Sequence, residues 1–192
     1  MNILLLGPQG AGKGTQAKRI AAEYGIPHIA TGDILRAAIA NETELGRKVK
    51  PIYDTGALVP DDLMIDLIRD RLGEPDATQG FVLDGFPRTM AQADALDAML
   101  EEIGKELDIV FELQLPDDAA RERLLRRAEL EGRTDDTPDA IAKRLATYHE
   151  LTEPLVGHYR VKGNLVGIHA GRTINEVFAE IQEALEQVAP AA

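Results

Sequence analysis

The chain has 192 residues, 44% hydrophobic and 28% charged, which is typical of one globular domain carrying at most small insertions. It contains no cysteine, which excludes disulfides and cysteine-ligated zinc, and its formal net charge of −12 argues against broad binding to nucleic acid or anionic membranes. No apolar segment approaches the length of a membrane span and no N-terminal signal sequence is recognisable, so we expect a cytoplasmic protein.

The N-terminus combines an apolar run with a glycine-rich loop. Residues 2–6 are predicted to form a strand, and the segment 7–15 that follows reads GPQGAGKGT. Gly7 and Gly12 allow a tight turn whose backbone N–H groups point at one anion, and the helix that follows adds its positive end. Lys13 adds a full positive charge. We therefore interpret this segment as a loop that binds the phosphates of a nucleotide.

Apolar runs alternate with amphipathic stretches along the rest of the chain, as in a parallel sheet covered by helices on both faces. The last helix is the clearest, because Thr173 and Glu176 form a capping box before an apolar stripe of Ile174, Val177, Phe178, Ile181, Leu185 and Val188. Another helix is predicted to begin after Pro60. Five strands are predicted, at 2–6, 27–30, 80–83, 109–115 and 164–169. The pattern therefore predicts an α/β fold with a five-stranded parallel sheet.

Two segments interrupt this alternation. Residues 31–59 contain short, charged helical stretches and no predicted strand, which indicates a helical insertion. Residues 129–137 separate two helices and have almost nothing apolar to bury, so we expect a solvent-exposed flap. Its short length restricts it to a small lid.

The strand predicted at 80–83 is followed by polar residues at the edge where parallel sheets bind ligands. Asp84 is a candidate for holding Mg²⁺ through water, although a turn or helix-capping role is the alternative. A loop hydroxyl is not expected to bind the metal directly, because Gly14 stands where the hydroxyl is usual and Thr15 comes one residue later. Arg88 could present its guanidinium to a phosphate, but an isolated arginine is more often a solvated surface residue.

Five segments follow one another along the chain: 7–15, TGDILR at 31–36, GALVP at 56–60, DGFPR at 84–88 with Gln92, and GRTDD at 132–136. Taken together, these segments resemble adenylate kinases in order and spacing over nearly the whole chain. The last segment resembles the short-lid form of the family. The resemblance implies a P-loop NTPase-like, three-layer αβα core at 1–30, 60–126 and 138–192. It also implies a helical AMP-binding domain at 31–59 and a short lid at 127–137.

The resemblance implies two nucleotide sites that face each other. ATP would bind to Gly10, Ala11, Gly12, Lys13, Gly14, Thr15, Arg127 and Arg172. AMP would bind to Thr31, Arg36, Ala57, Leu58, Val59, Gly85, Phe86, Pro87, Arg88, Gln92, Arg133 and Arg144, with Gln92 reading the adenine. The catalytic residues would be Lys13, Arg88, Arg127, Arg133 and Arg144.

Some of these side chains also have a plainer interpretation. Gln92 could be an exposed helix residue, Arg144 could cover apolar surface with its long stem, and Arg126 with Arg127 could form a solvated helix end. Arg126 has no assigned role.

The implied reaction is reversible transfer of the γ-phosphoryl group of ATP to AMP, giving two ADP, with Mg²⁺ as cofactor and no structural zinc. The implied partners are ATP and AMP, with no nucleic acid or membrane, and the expected state is a monomer. No general base is needed, because the second pKa of a phosphate monoester is about 6 and AMP is largely dianionic at neutral pH. Two alternatives remain open. One is a P-loop kinase of another nucleoside monophosphate or of a small hydroxylated metabolite, with Asp33 as the base. The other is a nucleotide-binding switch without catalysis.

Overall fold

The computed structural model describes residues 1–133 and 135–188. Its centre is a five-stranded, wholly parallel sheet with the strand order β2-β3-β1-β4-β5. The strands are β1 Asn2–Leu6, β2 His28–Ala30, β3 Phe81–Asp84, β4 Ile109–Gln114 and β5 Leu165–His169. All five predicted strands are confirmed, with ends that differ by at most one residue. β3 extends to Asp84 because this residue stays in register with Leu5 and Ala30 on the two neighbouring strands.

Helices connect the strands and cover both faces of the sheet. They are α1 Lys13–Tyr24, α2 Thr31–Ala40, α3 Glu44–Tyr53, α4 Asp61–Leu72, α5 Met90–Glu102, α6 Asp117–Glu131, α7 Pro138–Thr147, α8 Pro154–Lys162 and α9 Ile174–Val188. A 3₁₀ helix spans Pro75–Gln79 and a π-helical turn spans Tyr148–Thr152. Among the described helices, none is long and apolar enough to cross a membrane.

The core consists of two apolar clusters, one on each face of the sheet. Ile3 and Leu5 of β1 point into one cluster, and Leu4 and Leu6 point into the other. Successive side chains of a strand face opposite sides, so a central strand covered on both faces must be apolar at every position. This requirement explains the uninterrupted apolar run that opens the sequence. It also places the loop after β1 at the middle of the sheet's carboxyl edge.

The last helix follows the prediction with one difference. The capping box is confirmed, since the backbone N–H of Thr173 donates to Glu176 at 2.9 Å and the backbone N–H of Glu176 donates to the Thr173 hydroxyl at 3.4 Å. The predicted stripe is too long, however, because Ile174 is 57% exposed and Val188 is 39% exposed. Ile174 lies at the helix start beside the cleft described below, and Val188 ends the helix.

The segment 31–59 folds as predicted into helices, α2 and α3, without a strand. It packs near the beginning of α7, where a Cβ atom on Gly56 would lie 2.8 Å from the Ala140 carbonyl oxygen. The guanidinium of Arg144 lies 5.6 Å from the centre of the Tyr53 ring. The helical insertion therefore closes one side of the space above the carboxyl ends of the strands.

Candidate active site

A cleft of about 620 Å³ lies above the carboxyl ends of β1, β2 and β3. This volume is within the usual range for a small-ligand site. Ten of the 21 lysines and arginines line it: Lys13, Lys18, Arg36, Arg88, Arg123, Arg126, Arg127, Arg133, Arg144 and Arg172. Four acidic residues line it as well: Asp33, Asp84, Glu131 and Asp135. The cleft is thus cationic in a chain whose net charge is −12, which favours anionic ligands.

The loop between β1 and α1 needs glycine for steric reasons. Gly7, Gly10 and Gly12 have φ angles of 135°, 88° and 90°, which L-residues rarely adopt. A Cβ atom on Gly7 would lie 2.6 Å from the Leu113 carbonyl oxygen, and one on Gly10 would lie 2.7 Å from that of Ala120. The loop therefore packs directly on the backbone of the core, at the N-terminus of α1.

Lys13 is the first residue of α1, and its side chain folds back over the loop. Its Nζ donates to the carbonyl oxygens of Gly7 at 2.7 Å and Pro8 at 2.9 Å. Burial lowers the pKa of Lys13 to about 8, an effect that the nearby charge of Asp84 only partly offsets. A bound phosphate would supply the opposite charge that this ammonium group lacks. The geometry thus holds a cation ready for an anion at the helix start.

Asp84 ends β3 on the floor of the cleft, and its Oδ2 lies 3.4 Å from Nε2 of His28. Burial would raise the pKa of Asp84, but His28, Lys13 and Arg88 together hold that pKa below its usual value. The carboxylate therefore stays ionised and can accept hydrogen bonds from metal-bound water.

This single carboxylate fits Mg²⁺, which usually keeps several waters and binds through one or two carboxylates plus substrate phosphates. Among residues 1–133 and 135–188, no group of three or more His, Asp or Glu side chains could hold a metal ion directly. A Mg²⁺ ion at Asp84 would therefore depend on the phosphates of a nucleotide.

Arg88 and Arg36 form a second cationic centre in the same cleft. Arg88 Nε donates to the Gly85 carbonyl oxygen at 2.8 Å, and Arg36 Nη1 donates to the Tyr53 hydroxyl at 2.7 Å. Gly85 has a φ of 87°, and a Cβ atom there would lie 2.5 Å from Oγ1 of Thr31. Burial lowers the pKa of Arg88, but an arginine remains charged at neutral pH. Two guanidinium groups are thus available for a second anion.

Gln92 lies beside this second centre and is only 2% exposed. Its side-chain oxygen accepts from the backbone N–H of Arg88 at 2.7 Å, and its side-chain nitrogen donates to Asp61 at 2.7 Å. The interpretation of Gln92 as an exposed helix residue is therefore wrong. Its side chain lines the cleft from a fixed position.

The segment predicted as a solvent-exposed flap joins two helices through a buried carboxylate. The side chain of Asp136 is fully buried, accepts from Arg127 Nη2 of α6 at 2.7 Å and accepts from Arg144 Nη1 of α7 at 2.5 Å. Asp135 accepts a further bond of 2.9 Å from Arg144. The prediction of a solvent-exposed flap is confirmed for residues 129–132 and 137, which are exposed, and is wrong for Asp136. Asp136 can be buried because two arginines neutralise carboxylates that would otherwise need water. Thr134 of this segment lies outside the described residues.

The plainer interpretations of the arginines on α6 and α7 meet mixed outcomes. Arg144 is buried and paired with two aspartates, so it does more than cover apolar surface with its stem. Arg127 is partly exposed and forms an ion pair with Asp136. Arg126 is exposed and lines the cleft, and no role is assigned to it. Arg133 pairs with Glu131 at 2.6 Å. Arg172 also lines the cleft; its side chain is 52% exposed, and its Nη1 lies 3.6 Å from Oε2 of Glu180.

Nearly all of the predicted site residues line this one cleft. They are Gly10, Ala11, Gly12, Lys13, Gly14, Thr15, Thr31, Arg36, Ala57, Leu58, Val59, Asp84, Gly85, Arg88, Gln92, Arg127, Arg133, Arg144 and Arg172. Phe86 and Pro87 do not line it. Both are buried, and Phe86 belongs to the apolar core, so the contact of these two residues with AMP stays a prediction.

Asp33, the candidate base of the alternative kinase, is ion-paired with Arg36, so its carboxylate is already committed to a neighbouring cation.

Three further residues at the site were not assigned from the sequence. Tyr53, His28 and Asp61 each hold a predicted residue by side-chain contact, and nothing local in the sequence indicated those partners. For Asp135 and Asp136 the signal was the GRTDD segment itself.

Comparison with known proteins agrees with this geometry. A family model described as adenylate kinase matches residues 5–164. Adenylate kinase of Caulobacter vibrioides is 48% identical over 189 residues, covering 98% of this chain and 99% of that protein. Adenylate kinase of Thermus thermophilus is 49% identical over 183 residues, covering 95% and 96% respectively.

Adenylate kinase of Archaeoglobus fulgidus is 42% identical over 215 positions, covering 98% of this chain and 99% of that protein. Because this chain has 192 residues, the Archaeoglobus protein carries residues without a counterpart here. The matches extend over the loop at 7–15, both cationic centres and the acidic segment at 135–136. The chain therefore belongs to the adenylate kinase family.

Proposed function

We propose that the chain catalyses reversible transfer of the γ-phosphoryl group of Mg-ATP to AMP, giving two ADP. The observation that carries this proposal is the presence of two cationic centres in one cleft, Lys13 at the start of α1 and Arg88 with Arg36. Asp84 lies near enough to Lys13 and Arg88 for both charges to lower its pKa. A donor and an acceptor phosphate can therefore meet above Asp84.

In the proposed mechanism, Lys13 and the loop N–H groups hold the donor phosphates at the N-terminus of α1. Arg88 and Arg36 hold the phosphate of AMP. An oxygen of that phosphate attacks the γ-phosphorus in line, and the bond from this phosphorus to the β–γ bridging oxygen breaks, so that ADP leaves as the second product. Catalysis consists of positioning and charge neutralisation, which suits a cleft rich in arginine.

Arg127, Arg133 and Arg144 are proposed to neutralise charge on the transferring group. Asp136 pairs with Arg127, and Asp135 pairs with Arg144. These ion pairs fix the orientation of both guanidinium groups, so the arginines need less reorganisation when nucleotides bind. When bound, Mg²⁺ supplies further positive charge at the phosphate oxygens, and Asp84 is the residue that would hold it through water.

We further infer a core at 1–30, 60–126 and 138–192, an AMP-binding domain at 31–59 and a short lid at 127–137, in a cytoplasmic monomer. Closure of the two smaller units would exclude water that would otherwise hydrolyse ATP. The contact of Gly56 with Ala140 supports such closure, because it brings the proposed AMP-binding domain against α7. Hydrogen exchange tests the domain limits: ATP with AMP should protect 31–59 and 129–137, and no protection of either segment would refute closure.

The reaction is tested by incubating the protein with Mg-ATP and AMP and measuring all nucleotides. Two ADP for each ATP and AMP consumed supports the proposal. Absence of transfer to AMP rejects it. ATP that is bound without any transfer would indicate a switch, and transfer of the γ-phosphoryl group to a hydroxylated metabolite would indicate the other kinase. CMP and UMP serve as alternative acceptors, and we expect a strong preference for AMP.

A further inference from the structure

We propose that Asp61 is a positioning residue that locks the side-chain amide of Gln92 in one orientation and thereby makes the cleft accept adenine and reject 6-oxopurines. The proposal rests on the proposed function, because it concerns the base of the acceptor nucleotide. Asp61 itself does not line the cleft, whereas Gln92 does. Asp61 therefore acts through Gln92 and not by contact with the ligand.

The lock consists of two hydrogen bonds on opposite ends of one amide. Gln92 Nε2 donates to Asp61 Oδ1 at 2.7 Å, and Gln92 Oε1 accepts from the backbone N–H of Arg88 at 2.7 Å. The two partners have opposite and invariant polarity, because an ionised carboxylate only accepts and a backbone N–H only donates. Rotation of the amide by half a turn would place oxygen against carboxylate and N–H against N–H. In a side chain that is 2% exposed, water cannot relieve either mismatch.

Thr89 fixes the carboxylate in turn. The Thr89 hydroxyl donates to Asp61 Oδ2 at 3.1 Å and accepts from the backbone N–H of Gln92 at 3.2 Å. Both oxygens of Asp61 are therefore engaged with groups at the N-terminus of α5. Asp61 begins α4, so the network ties α4 to the start of the helix that carries Gln92.

Within the part of the chain that the structure describes, these two bonds leave Gln92 with one unused N–H and one unused lone pair, on the nitrogen and the oxygen of the same amide. Adenine presents a complementary pair on its Watson–Crick edge, the N1 acceptor next to the N6 amino donor. Hypoxanthine and guanine present the reverse, an N1–H donor next to an O6 acceptor. An amide that rotates freely could match either edge, whereas an amide held by Asp61 and Arg88 matches only adenine.

The test compares AMP with IMP as acceptors, because the two nucleotides differ only at this edge. kcat/KM is measured for both in the wild type, in Asp61→Asn and in Asp62→Asn. The asparagine at position 61 offers a donor and an acceptor of nearly the same shape, so it no longer dictates the orientation of Gln92. Asp62 is the matched control, because it lies in the same first turn of α4 and is exposed.

We expect the wild type to prefer AMP and Asp61→Asn to lower the AMP-to-IMP ratio of kcat/KM by about tenfold or more, as loss of a bidentate base contact does. The KM for ATP should stay unchanged, and Asp62→Asn should keep the wild-type ratio. If circular dichroism shows that Asp61→Asn does not fold, Asp61→Ser is used instead. Its hydroxyl can donate as well as accept, so it does not dictate the orientation of Gln92 either.

An Asp61 variant that loses activity equally toward AMP and IMP would overturn the proposal, because a structural role alone predicts that result. A wild type that uses AMP and IMP equally well would overturn it too. A wild type that transfers nothing to AMP would instead refute the proposed function. The two failures are therefore distinguishable.

Discussion

The buried carboxylate of Asp136 accepts a 2.5 Å hydrogen bond from the guanidinium of Arg144, and the same carboxylate accepts from Arg127 on the neighbouring helix. These two ion pairs connect α6 with α7 within the segment predicted to be a solvent-exposed flap. Because the Asp136 side chain is fully buried, its charge depends on compensation by these two arginines.

Asp136→Ala should lower the free energy of unfolding by about 3 kcal/mol, because it leaves Arg144 buried without its closest partner. Urea denaturation measures the change. Asp139→Ala, an exposed acid in the first turn of α7, is the matched control and should cost well under half as much. Equal losses in the two variants would show that the carboxylate of Asp136 is solvated after all.

Lys13→Met should make the nucleotide-free protein more stable near neutral pH, by on the order of 1 kcal/mol or more. The pKa of Lys13 is about 8 in the folded chain and near 10.5 when unperturbed. Between these values the unfolded chain binds more protons, so wild-type stability rises with pH there. The advantage of the methionine variant should therefore shrink above pH 8.

Denaturation of both proteins at several pH values between 7 and 10 measures this difference. A wild type that is more stable than Lys13→Met at pH 7, or a difference that stays constant to pH 10, would contradict the lowered pKa of Lys13. The same variant should lose most phosphoryl transfer, since the ammonium group is proposed to hold the donor phosphates.

Gly85→Ala should raise the KM for AMP by about tenfold or more while changing the KM for ATP little. Gly85 has a φ of 87°, and a Cβ atom there would lie 2.5 Å from the Thr31 hydroxyl and 3.2 Å from Arg88 Nη2. Steady-state kinetics with each nucleotide varied in turn measures both constants. Gly104→Ala is the control, because Gly104 also has a positive φ but no neighbour within 4 Å of the added atom. An equal effect on both KM values would show that the change acts on the whole fold instead.

The parts of the fold that depend on local pattern could be predicted from the sequence. The apolar run of β1 and the Thr173 capping box are examples, because strand burial and helix capping involve residues close in the chain. The glycine-rich loop and Lys13 could be placed for the same reason. Asp84 was placed at the edge of the sheet because it directly follows an apolar run.

The parts that depend on contacts between elements could not be predicted from local pattern. Asp135 and Asp136 look like solvated acids in a short polar segment, and only the packing of α6 beside α7 brings Arg127 and Arg144 against them. Asp61 looks like an ordinary acid in the first turn of a helix, and its bond to Gln92 crosses 31 residues of chain. Ile174 continues the apolar period of α9 but lies at the cleft, where no core covers it.

Arg88 and Lys13 are proposed to bring two phosphates together for direct transfer. ATP labelled at the γ-phosphorus is incubated with AMP, Mg²⁺ and either the wild type or Arg88→Met, and the label is located in the products. In the wild type the label should appear in the β-phosphate of the ADP formed from AMP. In Arg88→Met, kcat/KM for AMP should fall by about 100-fold or more with ATP binding retained. Label released as inorganic phosphate by the wild type, or full transfer by Arg88→Met, would contradict the account.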